Sequence, residues 1–126
     1  MIICVDFDGT IVTHDYPNIG KPVPDALRVL QELRRADHKI ILFTMRSGKN
    51  LKEAERYLQN NGVQIYGVNR NPTQRSWTQS PKAYGHLYID DAALGIPLIE
   101  DEEFSERPFV NWSEVRKLLK RKGNII

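Results

Sequence analysis

Acidic residues close two of the apolar stretches in this chain. Asp6 and Asp8 follow Ile2-Ile3-Cys4-Val5, and Asp90 and Asp91 follow His86-Leu87-Tyr88-Ile89. A third stretch, Ile40-Ile41-Leu42-Phe43, runs into Thr44-Met45-Arg46, and Lys82 lies just ahead of the second acidic pair. Ligands of open α/β sheets bind beyond the carboxyl ends of the strands. If the two acidic pairs converge there, like charges about 4 Å apart repel by about 4 kcal/mol at an effective dielectric near 20. Such crowding calls for protonation or a cation. An all-oxygen donor set suits Mg²⁺, which takes one or two carboxylates and keeps several waters.

The elements that must position these residues alternate between strand and helix. Ile2–Val5 is predicted as a first strand and 40–43 as a second. Gln64–Tyr66 is a weak third, 86–89 a fourth and Pro97–Ile99 a short fifth. Between them, Pro24–Ala36 has helical spacing, with Ala26, Leu27, Leu30 and Leu33 on one face and Pro24 suited to the first turn. A second helix is predicted over Asn50–Asn60, with Asn50 and Glu53 at capping-box spacing and Gly62 closing it. Asn111 caps a last helix that places Trp112, Val115, Leu118 and Leu119 together. This alternation predicts a parallel sheet covered by helices on both faces. Segments 13–23 and 69–81 read as loops, neither long enough for a lid domain.

Asp6-Phe7-Asp8-Gly9-Thr10-Ile11-Val12 resembles the first motif of the haloacid dehalogenase superfamily. Thr44 at its strand end resembles the second motif, Lys82 the third, and Ile89-Asp90-Asp91 the fourth, in the family's order. The first and fourth are the specific ones. The resemblance spans residues 1 to about 95 and implies a Rossmann-like three-layer sandwich with strand order 5-4-1-2-3, as one domain over 1–126. The short loops resemble the capless subclass. The implied activity is a Mg²⁺-dependent phosphohydrolase acting on a small phosphomonoester.

Roles follow from the resemblance in the same way. Asp6 would attack phosphorus and form an aspartyl phosphate. Asp8 would protonate the leaving oxygen and later take a proton from water. Thr44 would donate its hydroxyl to the phosphoryl group, and Lys82 would face both Asp6 and phosphate. Metal ligation falls to Asp6, Asp8 through its backbone carbonyl, Asp90 and Asp91. Gly9, Thr10, Met45 and Arg46 would line the substrate, with Arg46 the first candidate for a second anionic group and Arg70 and Arg75 behind it. His14 reads as a solvated loop residue, and Trp77 and Tyr84 as packed against the sheet. An open site of this type would suit a neighbouring subunit as its shield, hence a homo-oligomer.

The remaining features narrow the field. With 126 residues and 40% apolar composition, the chain can bury one core. A net charge of +2 is too small to announce nucleic acid. No apolar run approaches the roughly 20 residues of a membrane span, and Met1–Val5 is too short for a signal peptide, so a cytoplasmic location is expected. The single cysteine, Cys4, sits in an apolar strand pattern and reads as a packed core residue. A receiver-like signalling domain shares the size and the acids, but it carries its phospho-acceptor Asp after the third strand. Here that position reads Gly67-Val68-Asn69. A non-catalytic binding module on the same fold is the other alternative.

Overall fold

A computed structural model describes residues 1–125. Its centre is a four-stranded parallel sheet in the order β3-β2-β1-β4. The strands are β1 (Ile2–Val5), β2 (Lys39–Leu42), β3 (Gly67–Val68) and β4 (Leu87–Ile89). Register pairs Ile3 with Ile40 and Leu87, and Val5 with Leu42 and Ile89. The side chains of these paired residues point to one face of the sheet.

That face carries the main core. Helices α1 (Ala26–Arg35), α2 (Gly48–Asn60) and α3 (Trp112–Arg121) all contribute to it. Val29, Leu30 and Leu33 come from α1, Ala54 and Leu58 from α2, and Trp112, Val115 and Leu119 from α3. The α1 stripe thus includes Val29, with Leu27 only partly buried. Glu32 of α1 and Arg116 of α3 meet in a two-point ion pair at 2.9 and 3.0 Å.

Among the described residues no helix covers the other face, where a helical layer was expected. Cys4, Ile41 and Ala83 form a small cluster there with Ile2, Phe43 and Tyr66. The covering segment is irregular and contains a 3₁₀ turn at Gln74–Ser76. It runs between β3 and β4 and holds its shape through side-chain hydrogen bonds instead of a helix. Gln74 donates to the Ser80 and Lys82 carbonyls and accepts from the Tyr84 N–H. Asn71 donates to the Tyr84 carbonyl and accepts from Thr73. Cys4 is buried, and burial pushes its thiol up to about 11, which leaves it an apolar packing group.

The order 5-4-1-2-3 fails at its first member. Leu98–Ile99 (β5) does not extend the sheet beside β4; it pairs antiparallel with Phe109–Val110 (β6), a strand the sequence pattern did not reveal. The strand is only two residues long. The ribbon instead docks on the loop after β1, where the Val110 N–H donates to the Gly9 carbonyl at 3.0 Å.

Other boundaries shifted. β3 lies two residues beyond Gln64–Tyr66, while Tyr66 N–H already donates to Ile40. α2 starts at Gly48 behind Ser47, so Asn50 lies inside the helix and donates its amide to Tyr16 instead of capping. The α3 cap is as expected: Asn111 accepts from the Glu114 N–H.

Leu42 is fully buried between the sheet and the helices. Leu42→Ala should cost about 3 kcal/mol in denaturant unfolding, the usual toll of a buried leucine truncated to a cavity.

Candidate functional site

The sheet places its acids as the strand-end reasoning requires. β1 and β4 are neighbours, and the Asp6 N–H donates to the Ile89 carbonyl at 2.9 Å, which extends the pairing by one residue. Asp6, Asp90 and Asp91 therefore emerge side by side. A carboxylate oxygen from each lies within 4.8 Å of the other two. Asp8 is outside this trio.

The chain braces the trio from below. Thr10 is fully buried; its hydroxyl donates to Asp6 at 3.1 Å and accepts from the Asp91 N–H at 3.1 Å. The Thr10 carbonyl in turn accepts from the indole N–H of Trp112, at 2.6 Å, which ties the loop to α3. Thr10 is thus an internal brace and not a substrate contact, because its side chain is sealed from solvent and both hydroxyl functions are taken. Gly9 has φ of 83°, and a Cβ there would run into His14 Nε2 and the Asp91 carboxylate. Only glycine meets both demands.

Asp6 shows what this crowding does. Burial, a proton shared with Asp91, and the charges of Asp90 and Asp91 push its pKa up to about 8, against a smaller opposing effect from the Thr10 hydroxyl. Burial also raises Asp90, partly offset by the Ala92 N–H that donates to it. The one basic side chain within ion-pair distance of the trio, among the described residues, is His14, whose Nε2 lies 2.8 Å from Asp91 Oδ2. His14 is largely shielded and belongs to the site, contrary to its reading as a solvated loop residue. Its sequence signal was weak: only the sharp turn at Gly9 returns this loop over the strand end.

Asp8 and Arg46 form a separate unit. Arg46 Nε and Nη2 donate to the two Asp8 oxygens at 2.8 and 2.7 Å. Its Nη1 and Nη2 also donate to the carbonyls of Pro17 and Asn18 at 3.1 and 2.7 Å, and the guanidinium lies over the rings of Phe7 and Tyr16. The Asp8 hydrogen bonds hold the Arg46 pKa above its ordinary value. Arg46 is 3% exposed, so it cannot serve a second anionic group of a substrate as the sequence position invited. Its fork is occupied from within.

Thr44 closes β2 under a further clamp. Asn69 Oδ1 accepts from the Thr44 N–H at 2.8 Å, and Asn69 Nδ2 donates to the Thr44 carbonyl at 3.0 Å. The Thr44 hydroxyl accepts from the Arg46 N–H at 3.1 Å, leaving its own proton free to donate. Asn69, at φ 55°, was not singled out from the sequence. Met45, next in line, is fully exposed. Lys82 departs from its expected place: its exposed Nζ lies over the Tyr88 ring at 5.4 Å and within ion-pair distance of no carboxylate among the described residues. Trp77 and Tyr84 pack edge-to-face on each other and remain exposed, Trp77 at 62%, so neither is absorbed by the sheet.

No family model matches the chain, and no curated protein sequence matches it. A solved structure does. It is that of a conserved protein coded by a locus of Bacteroides thetaiotaomicron, which superposes with a TM-score of 0.80 at 34% sequence identity, over 97% of this chain and 91% of that one. The chain belongs to the family of that protein. The shared family carries the α/β fold with it, over nearly the full length of both chains. No helix is long and apolar enough to cross a membrane.

The raised Asp6 pKa has a consequence for stability without metal. Folded Asp6 titrates near 8 and its ordinary value is 3.8, so its contribution is fully present below about pH 4 and is lost as pH rises towards 8. In EDTA, the Tm of the wild type should fall across that window. Asp6→Asn should flatten this part of the profile; an unchanged slope would remove Asp6 as its source.

Proposed function

We propose that this chain is a Mg²⁺-dependent phosphohydrolase of haloacid dehalogenase type, acting on a small phosphomonoester with Asp6 as nucleophile. The observation that carries the reading is the convergence of Asp6, Asp90 and Asp91 within 4.8 Å at the ends of the adjacent strands β1 and β4. A purely structural cluster of acids would have a cationic side chain at its centre; here the one contact with a basic group is His14 at the edge.

The donor set fits Mg²⁺. All three side chains offer oxygen, and burial plus mutual repulsion have raised Asp6 for want of positive charge. Asp6, Asp90 and Asp91 would hold the ion, with the Asp8 backbone carbonyl as the family resemblance implies. When bound, Mg²⁺ would offset negative charge on the nucleophile and on the phosphoryl oxygens.

The chain's own residues do the rest. An Asp6 oxygen attacks phosphorus, the bond to the ester oxygen breaks, and that oxygen leaves with the electron pair and takes up a proton. Water then attacks the aspartyl phosphate at phosphorus, the bond to Asp6 breaks, and inorganic phosphate departs. Thr10 fixes the rotamer of Asp6 through its 3.1 Å hydrogen bond, which keeps the attacking oxygen in place. Thr44, with its hydroxyl proton free, donates to a phosphoryl oxygen.

Asp8 remains the proton carrier of this reading, under a constraint. Both its oxygens accept from Arg46, so handing a proton to a leaving group requires the fork to open on that side. The same fork is what favours the alternative of a non-catalytic module or a slow phospho-acceptor on this fold.

Hydrolysis of 4-nitrophenyl phosphate separates these readings. Wild type should release phosphate with Mg²⁺ and not with EDTA, and Asp6→Asn should lower turnover by about a thousandfold or more, as loss of a covalent nucleophile does. Turnover that survives Asp6→Asn would dismiss the nucleophile. Absence of both turnover and Mg²⁺ binding would leave the binding-module reading.

A further inference from the structure

The irregular segment between β3 and β4 encloses a cavity of about 370 Å³. Asn69, Arg70, Gln74, Arg75, Thr78 and Ser80 are among its walls. Neither arginine is ion-paired with a carboxylate among the described residues. Two arginines line one cavity whose walls contain no acidic residue, a mismatch in charge that an anion would correct. Their planar forks suit a phosphate or a carboxylate, which they can bind in two-point fashion.

The cavity is built and not a slack fold of surface loop. Gln74 is 7% exposed and Asn71 is 6% exposed, both deep for amide side chains. Their hydrogen bonds run across the segment, from Gln74 to Ser80, Lys82 and Tyr84, and from Asn71 to Tyr84 and Thr73. Buried amides with satisfied partners fix the walls from behind and leave the arginines on the open side.

Its position ties it to the acidic site. Asn69 lines the cavity and clamps the backbone of Thr44 on both sides. Thr44 accepts from Arg46, whose guanidinium holds Asp8. The cavity is thus joined, through Asn69, to Thr44 just past the end of β2. Arg46, the first choice for a second anionic group, is occupied by Asp8 and two carbonyls. Arg70 and Arg75 are exposed and line this cavity.

We propose that this cavity is an anion subsite that takes a second phosphate or carboxylate of the molecule whose ester is cleaved beside Asp6. The word ester rests on the phosphohydrolase reading; the subsite itself does not. The preferred substrate is then a doubly anionic metabolite, and simple aryl phosphates are poor mimics of it.

Calorimetric titration of the full chain, stripped of metal and dialysed free of chelator, tests the subsite alone, because the acid cluster without metal repels anions. Inorganic pyrophosphate stands for a phosphoryl group and citrate for a carboxylate, and the tighter of the two names the source. Wild type should bind one anion per chain. Arg70→Ala/Arg75→Ala should weaken binding by about tenfold or more, since charge-assisted hydrogen bonds are lost. Asp6→Asn should bind at least as well as wild type. Thermal unfolding should show the double variant folded, as both side chains lie at the surface. No binding of either anion, or equal binding by the double variant, would overturn the proposal. If binding depends on the arginines yet no phosphate ester is ever hydrolysed, the subsite stands and the phosphohydrolase reading falls.

Discussion

Three carboxylates that reach within 4.8 Å of one another set the terms for the rest of the molecule. Their repulsion has to be held against, and the chain does so at several points. The Asp6 N–H is tied to Ile89, so β1 and β4 stay paired up to the acids. Thr10 bridges Asp6 and the Asp91 backbone, and Trp112 holds Thr10 in place from α3. Residues more than a hundred positions apart thus brace the same strand ends. Burial first, and then the neighbouring Asp91 and Asp90, hold the Asp6 pKa above its ordinary value.

Around the trio, each neighbouring loop is pinned by one polar side chain. Arg46 gathers Asp8 and the carbonyls of Pro17 and Asn18, which fixes the loop after β1 against the loop after β2. Asn69 joins the ends of β2 and β3 through Thr44. Gln74 holds the segment ahead of β4. Arg46 and Asn69 lie just past the carboxyl ends of parallel strands, where side chains from several loops converge. The economy of the fold follows: with one face of the sheet covered by helices and the other by a hydrogen-bonded coil, a short chain still encloses a rigid site.

Sequence reasoning located what depends on local pattern. The strand ends carrying Asp6 and Asp90, the α1 stripe and the Asn111 cap all follow from spacing along the chain. Contacts between distant segments were harder to read. Arg46 stands beside Thr44 in sequence and reads as a substrate ligand, yet a buried arginine needs partners, and Asp8 with two carbonyls supply them. His14 enters the site only because Gly9 folds the loop back. β6 has two residues, too few for any periodicity, and β5 has as few. Thr10, read as lining the substrate, turned inward because a buried hydroxyl can serve a donor and an acceptor at once. Lys82 carries no pattern of its own and was placed by order alone; the structure sets it over Tyr88.

Direct titration with Mg²⁺ tests whether the trio is a metal site without any assumption about substrate. Wild type at neutral pH should bind one Mg²⁺ per chain, and Asp90→Asn should weaken that binding by about tenfold or more while leaving the fold intact. Failure of the wild type to bind Mg²⁺, or binding that Asp90→Asn leaves unchanged, would contradict the account.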